Sequence, residues 1–429
     1  MSNLIANEKI LLSNNSSNQD AFDRLRISEP NTLFQYELSL GKLPFIMDEL
    51  ISGSGATIIS DTSIPTIDLK LTGTGGATGK AIRQSYEYIP YQPGKSKFLL
   101  LSGILEAENG GITGVVSRIG CFDSSVEKTS IAGNGNGLFF ELGGTSGKTL
   151  SVVERLNDVD TKVIQNDWNY DKFDGTGPSG ITALDFSKGM IFGIDQEWLG
   201  TGRVRFGFVI NGSFKLGHSF NHSASNAIQL PYTKTAKLPI RYEISSTVAN
   251  TATMRMLSSI VLSEGGYEPT GLSFSRGRSV GKNVNTTLVP IISIKLREQE
   301  PYNRKTISMR KVSILVSTAK SIQWDLYILP NSSYLTDASW VNQDTNNSIA
   351  QYDISSTAVN LTDGIQLVSG YVNDTTISDF FYDKYLESSL INSSISGTSK
   401  VLCLAAVKLP GQSAGNVTTH GSISWVEII

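Results

Sequence analysis

Short runs in which apolar and polar residues alternate, separated by Gly, Ser, Thr and Asn, recur along most of this chain. The clearest is 203–210, which places Val204, Phe206, Phe208 and Ile210 on one face; Asn211-Gly212 follows, and Phe214, Leu216 and Phe220 resume the period of two. Alternation on both sides of an Asn-Gly pair predicts a two-residue hairpin, because both turn residues can adopt positive φ. The same pattern predicts strands at 84–89, 97–105, 114–122, 137–142, 149–156, 189–198, 238–244 and 253–262. A later set falls at 288–296, 305–316, 321–329, 364–372, 400–408 and 422–429. Only 377–390 has helical spacing, with Phe380, Phe381, Tyr385 and Leu386 sharing a face.

These elements predict an all-β chain of two β-sandwich or jelly-roll domains preceded by an extended arm. Residues 1–34 read as the N-terminal arm, 35–275 as a jelly-roll sandwich and 276–429 as a C-terminal β-sandwich. The second boundary is set in the turn-rich stretch 263–281.

Composition narrows the function classes. Only 17% of the 429 residues are charged, against about 25% in an ordinary soluble protein. The 36 Lys and Arg are outnumbered by 39 Asp and Glu, so phosphate neutralisation is not expected and no nucleic-acid partner is predicted. Cys121 and Cys403 lie in separate apolar runs and read as buried thiols. The most apolar stretch, 98–105, is far shorter than the roughly 20 residues of a membrane helix, so no membrane insertion is expected.

Chemistry-bearing patterns are near misses. Gly143 to Thr149 is one residue short of a phosphate-binding loop and runs into an alternating strand. His218 and His222 are four apart but fall on a strand end and a loop, and the acidic stretch 157–174 lacks ordered calcium-ligand spacing. No metal, no cofactor and no catalytic residue is predicted. Asp195 and Glu197 do share a strand face, roughly 7 Å apart, with Trp198 beside them. These three are the candidate glycan contacts.

The stretch Phe192-Gly193-Ile194-Asp195-Gln196-Glu197-Trp198 resembles the Glu-X-Asp-X-Glu strand of laminarinase-like retaining glycosidases, which implies a concanavalin-like jelly roll for the first domain. In that family the first Glu is the nucleophile. Here Gly193 stands in its place, so the resemblance implies the fold and argues against the activity.

A second resemblance covers more of the chain. Asp20-Ala21-Phe22-Asp23-Arg24-Leu25-Arg26-Ile27-Ser28-Glu29-Pro30, and later Leu238-Pro239-Ile240-Arg241-Tyr242-Glu243-Ile244 and Ser263-Glu264-Gly265-Gly266-Tyr267-Glu268-Pro269, resemble a family of virion structural proteins of tailed phages and large DNA viruses. At position 23 this chain has Asp where the family pattern has Gly. The resemblance implies a non-enzymatic particle component located in the virion: a minor capsid, vertex, spike or tail protein. Its partners would be other virion proteins and copies of itself, a trimer being one arrangement. The alternative is a host-attachment protein that binds a host glycan. Phe22, Arg24, Leu25, Arg26, Ile27, Leu33 and Phe34 are the candidate partner-binding residues, since an alternating arm can add a strand to a neighbour; the same segment can equally pack on its own domain.

Overall fold

A computed structural model of the chain describes residues 19–72, 78–108, 113–128, 135–143, 148–223, 230–266, 271–373, 377–381 and 390–428. Residues 1–18 of the predicted arm and 382–389 of the predicted helix lie outside these. The chain is all-β, with no α-helix among the described residues.

The first unit is two antiparallel sheets sharing one core. One runs in the order Ser213–Phe220, Val204–Ile210, Met190–Gln196, Lys97–Glu108, Thr251–Glu264, Thr66–Thr72 and Ala56–Asp61, with Pro30–Tyr36 also paired to Thr251–Glu264. The other runs Val159–Ile164, Leu150–Leu156, Gly137–Gly143, Val115–Phe122, Ile240–Ser246, Gly79–Ser85 and Met47–Ser52. Period-two alternation sends Phe192, Ile194, Phe206 and Phe208 of the first sheet inward to meet Ile119, Phe140 and Tyr242 of the second. Phe140 joins the layers, its ring 5.2 Å from Phe192 and 5.3 Å from Phe206. This is the sandwich expected for the first domain.

The predicted hairpin is present, with Asn211 at φ 50° and Gly212 at φ 77°. Its second strand carries a bulge: Phe206 faces His218 while Gly207 faces Leu216, leaving Gly217 unpaired. The bulge splits the apolar set of that strand. Phe214 and Leu216 share the outer face with Gly207, whereas Phe220 packs against Phe206 on the core side.

The C-terminal unit packs two six-stranded sheets around Ile294, Val312, Trp324, Leu404 and Trp425. Two sequence expectations change here. The boundary near 275 falls inside a strand, Gly271–Gly277, which pairs with Val417–Ile428; its glycines and serines had suggested turns, but the long closing strand supplies the ladder. Ile377–Phe381 is a strand paired with Thr306–Val316, not the start of a helix, because an open sheet edge outweighs weak local spacing. For the described part of the predicted arm the structure shows the second of the two alternatives, packing on its own domain, since Leu33 and Phe34 are buried in the first core on the strand Pro30–Tyr36. The alternation Ile67-X-Leu69-X-Leu71 marks a strand, Thr66–Thr72, ahead of those predicted.

Polar contacts link the units. Arg304 Nε lies 3.0 Å from Asp123 Oδ2, the Ile395 amide donates to Asp48 Oδ2 at 2.7 Å, and Lys400 Nζ donates to the Phe45 carbonyl while lying 3.5 Å from the Tyr86 ring centroid.

Candidate functional site

The candidate glycan-contact strand and the candidate partner-binding segment meet at one place. On Met190–Gln196 the core takes Phe192 and Ile194, so Gly193 and Asp195 project from the outer face. Asp195 is fully buried there. Its Oδ2 accepts from Arg205 Nε at 3.1 Å and from Arg26 Nη2 at 2.7 Å. Arg26 also pairs with Glu264, and its guanidinium lies 4.4 Å from the centroid of Phe98.

The opening segment is folded around these charges. Asp20 accepts the backbone amides of Phe22 and Arg24, both at 2.9 Å, and its other oxygen pairs with the Arg24 side chain at 2.6 Å. Asp23 adopts φ 61° and its amide donates to the Asp20 carbonyl. The tight turn is therefore kept with Asp in place of Gly, since Asp is among the few residues that tolerate the left-handed region. Arg203 clamps the turn from the sheet, donating to the Ala21 carbonyl at 2.8 Å and pairing with Asp23 at 2.7 Å.

Of the candidate partner residues, Arg24 and Arg26 are thus engaged within the chain and Leu33 and Phe34 are core. Phe22 is half-buried under Arg24. Leu25 and Ile27 project outward, 46% and 87% exposed.

The space above Gly193 is filled. The Phe214 ring lies over Gly193 and Gly207; a Cβ on Gly193 would come within 2.9 Å of Phe214 Cδ2, and one on Gly207 within 2.9 Å of its Cζ. Phe214 then meets Phe98 edge-on at 5.3 Å. A stack of Phe214, Phe98 and Arg26 therefore roofs this part of the outer face.

Glu197 and Trp198 lie just past the strand and do not join Asp195 in an open pair. Glu197 is half-buried, and burial raises its pKa, with Asp20 and Asp23 adding to the effect against the pull of Arg203. Trp198 donates through Nε1 to Thr233 and receives the Tyr91 ring edge-on at 6.1 Å. Both aromatics line a cleft of about 450 Å³ between the two units, together with Lys237, Glu300, Arg304 and Lys305. The lysines escaped notice in the sequence because 237 and 305 come from different units and no local motif joins them.

His218 and His222 are both held by hydrogen bonds within the chain. His222 bridges the Gly202 carbonyl and Glu154 Oε2, the latter at 2.9 Å, and that carboxylate holds its pKa above the ordinary value despite burial. His218 Nδ1 accepts from the Asn169 amide, and burial lowers its pKa to about 4. In the acidic loop Asp171 accepts the amides of Phe173 and Ser179. Cys121 and Cys403 are free and buried.

The block Leu238 to Ile244 follows the same logic. Ile240, Tyr242 and Ile244 enter the core, while Arg241 and Glu243 pair on the outer face of the second sheet, where Glu243 also meets Arg118 at 2.6 Å. The Arg241 guanidinium lies 5.1 Å from the Phe122 ring centroid. Burial raises the carboxyl pKa of Glu243, but the two arginines override it and hold it well below the usual range.

No protein-family model matches this chain, and no curated protein matches it. Solved structures similar to it include a Bacillus licheniformis β-glucanase, at 10% identity over 54% of this chain and 98% of that one, with a TM-score of 0.32. Peanut lectin with a nine-residue peptide is similar at 12% identity over 55% and 98%, with a TM-score of 0.32. Lectin I-B4 from Griffonia simplicifolia is similar at 15% over 54% and 99%, with a TM-score of 0.29. At such scores they carry no argument for function, and the all-β architecture stands on the sheets themselves.

Proposed function

We propose that this chain is a non-enzymatic structural protein of a virus particle, located in the virion and acting through contacts with other virion proteins and with copies of itself. The sequence resemblance supplies the class. The observation that carries the non-enzymatic reading is the closure of the outer face at Asp195, whose carboxylate is held by Arg26 and Arg205 while Phe214 lies over Gly193. An ion-paired carboxylate beside a glycine covered by an aromatic ring supports a face that lacks the acid and nucleophile pair of a retaining glycosidase. The same clamp presents Leu25 and Ile27 on a fixed segment, and exposed apolar side chains on rigid backbone suit a permanent neighbour. Mass spectrometry and immunolabelling of purified particles test this reading, and absence of the chain from them would sink it.

A second reading, glycan binding for host attachment, is favoured by Tyr91 and Trp198 on the inter-unit cleft. A glycan array probed with the full chain tests it.

A further inference from the structure

We infer that the cleft between the two units is a binding site for an acidic saccharide, a sugar ring bearing a carboxylate or sulfate, held by Lys237 and Lys305 against Tyr91 and Trp198. The inference rests on the glycan-binding reading for the ring and on the two lysines for the charge.

The lysines differ from other buried cations, which meet a carboxylate or, like Lys97 and Lys400, a backbone carbonyl. Arg26, Arg205, Arg241 and Arg304 each face a carboxylate. Lys237 and Lys305 are half-buried, and among the described residues neither ammonium meets an acceptor. Burial, helped by the nearby charges of Lys305 and Lys97, lowers the Lys237 pKa to about 8, and burial lowers that of Lys305 too. Two desolvated cations side by side destabilise the free protein, and an anion placed between them relieves both penalties.

The shape selects the rest of the ligand. About 450 Å³ is within the range of pockets that hold small organic ligands and far exceeds a lone inorganic anion. Tyr91 and Trp198 offer apolar surface suited to the carbon face of a sugar ring. Glu300 lines the same cleft, its carboxylate 2.9 Å from Arg304, which also pairs with Asp123. That negative charge disfavours a densely charged polyanion and suits a ring with a single acidic group.

The test is isothermal titration of the full chain at low salt with trigalacturonate, N-acetylglucosamine 6-sulfate, neutral cellotriose and sodium sulfate. The first two probes separate carboxylate from sulfate recognition. At least one is expected to bind, with Lys237→Gln, Lys305→Gln and Trp198→Ala each weakening it about tenfold or more, the scale of a charge-assisted or aromatic anchor. The two glutamine variants should melt no lower than the parent, which separates a binding role from a structural one. Sodium sulfate competing as well as the sugars, or variants binding like the parent, would overturn the site. If cellotriose binds as tightly as the acidic probes, the acidic inference fails while the glycan-binding reading stands. If no saccharide binds, both fail.

Discussion

Arg26 and Asp195 lie 169 positions apart and meet at 2.7 Å on the outer face of the first sheet. The contact ties the opening segment to the strand that resembles a glycosidase motif, so the two resemblances of the sequence converge on one ion pair. Its partners divide unequally, because Arg205 is buried with Asp195 while Arg26 keeps one edge in solvent.

The first prediction follows from that asymmetry. Arg205→Met leaves a fully buried carboxylate with less compensation and should cost about 3–5 kcal/mol. Arg26→Gln should cost less, about 1–3 kcal/mol, since Arg205 remains. Chemical denaturation of both variants and of a double variant with Asp195→Asn measures the coupling; strictly additive effects would contradict a shared network.

Restoring the missing nucleophile should fail. Gly193→Glu drives a side chain into the Phe214 ring and is expected to lower stability by about 1–3 kcal/mol or more through overpacking. Reducing-sugar assays on β-glucans should stay at background. Robust hydrolysis by the variant would show that this face opens to substrate.

On the proposed virion reading, Ile27 should separate folding from assembly. It is 87% exposed, so Ile27→Asp should leave the melting temperature within the small range of surface changes, while incorporation into particles falls several-fold. Normal incorporation of a normally folded variant would remove this segment from the contacts between subunits.

The pH dependence has an unusual sign near neutrality. Burial lowers the pKa of Lys400 to about 7, and those of Lys97 and Lys237 to about 8. Above these values the folded chain has released protons that the unfolded chain retains up to the ordinary lysine range, so each group adds stability as pH rises across that window. Comparing the parent with Lys400→Met cancels other titrations: the parent should gain on the variant between pH 7 and 9, and a constant difference would refute the assignment. On the acid side Asp123, which Lys128 and Arg304 hold at about 2 against its burial, supplies stability that is lost as pH falls from the ordinary carboxylate range through that value.

The sequence by itself determined the all-β class, the Asn211-Gly212 hairpin and most strands of the core, because period-two alternation is local and a buried face enforces it. It also marked two residues of the clamp, Arg24 and Arg26, without showing what they hold. Tertiary structure decided that Asp195 is a closed ion pair, since its partners come from residues 26 and 205 and burial depends on what covers a face. It decided that Phe214 and Phe220 part company, because one extra residue at Gly217 reverses the side chains beyond it. It brought Lys237 and Lys305 into one cleft, since no local pattern records the approach of two units. It turned Ile377–Phe381 into a strand, since a vacant sheet edge supplies hydrogen bonds that five residues cannot make among themselves. The low charge content was legible from the start, but only the fold shows where much of that charge goes: into buried pairs that pin loops and segments to the outer faces of the sheets.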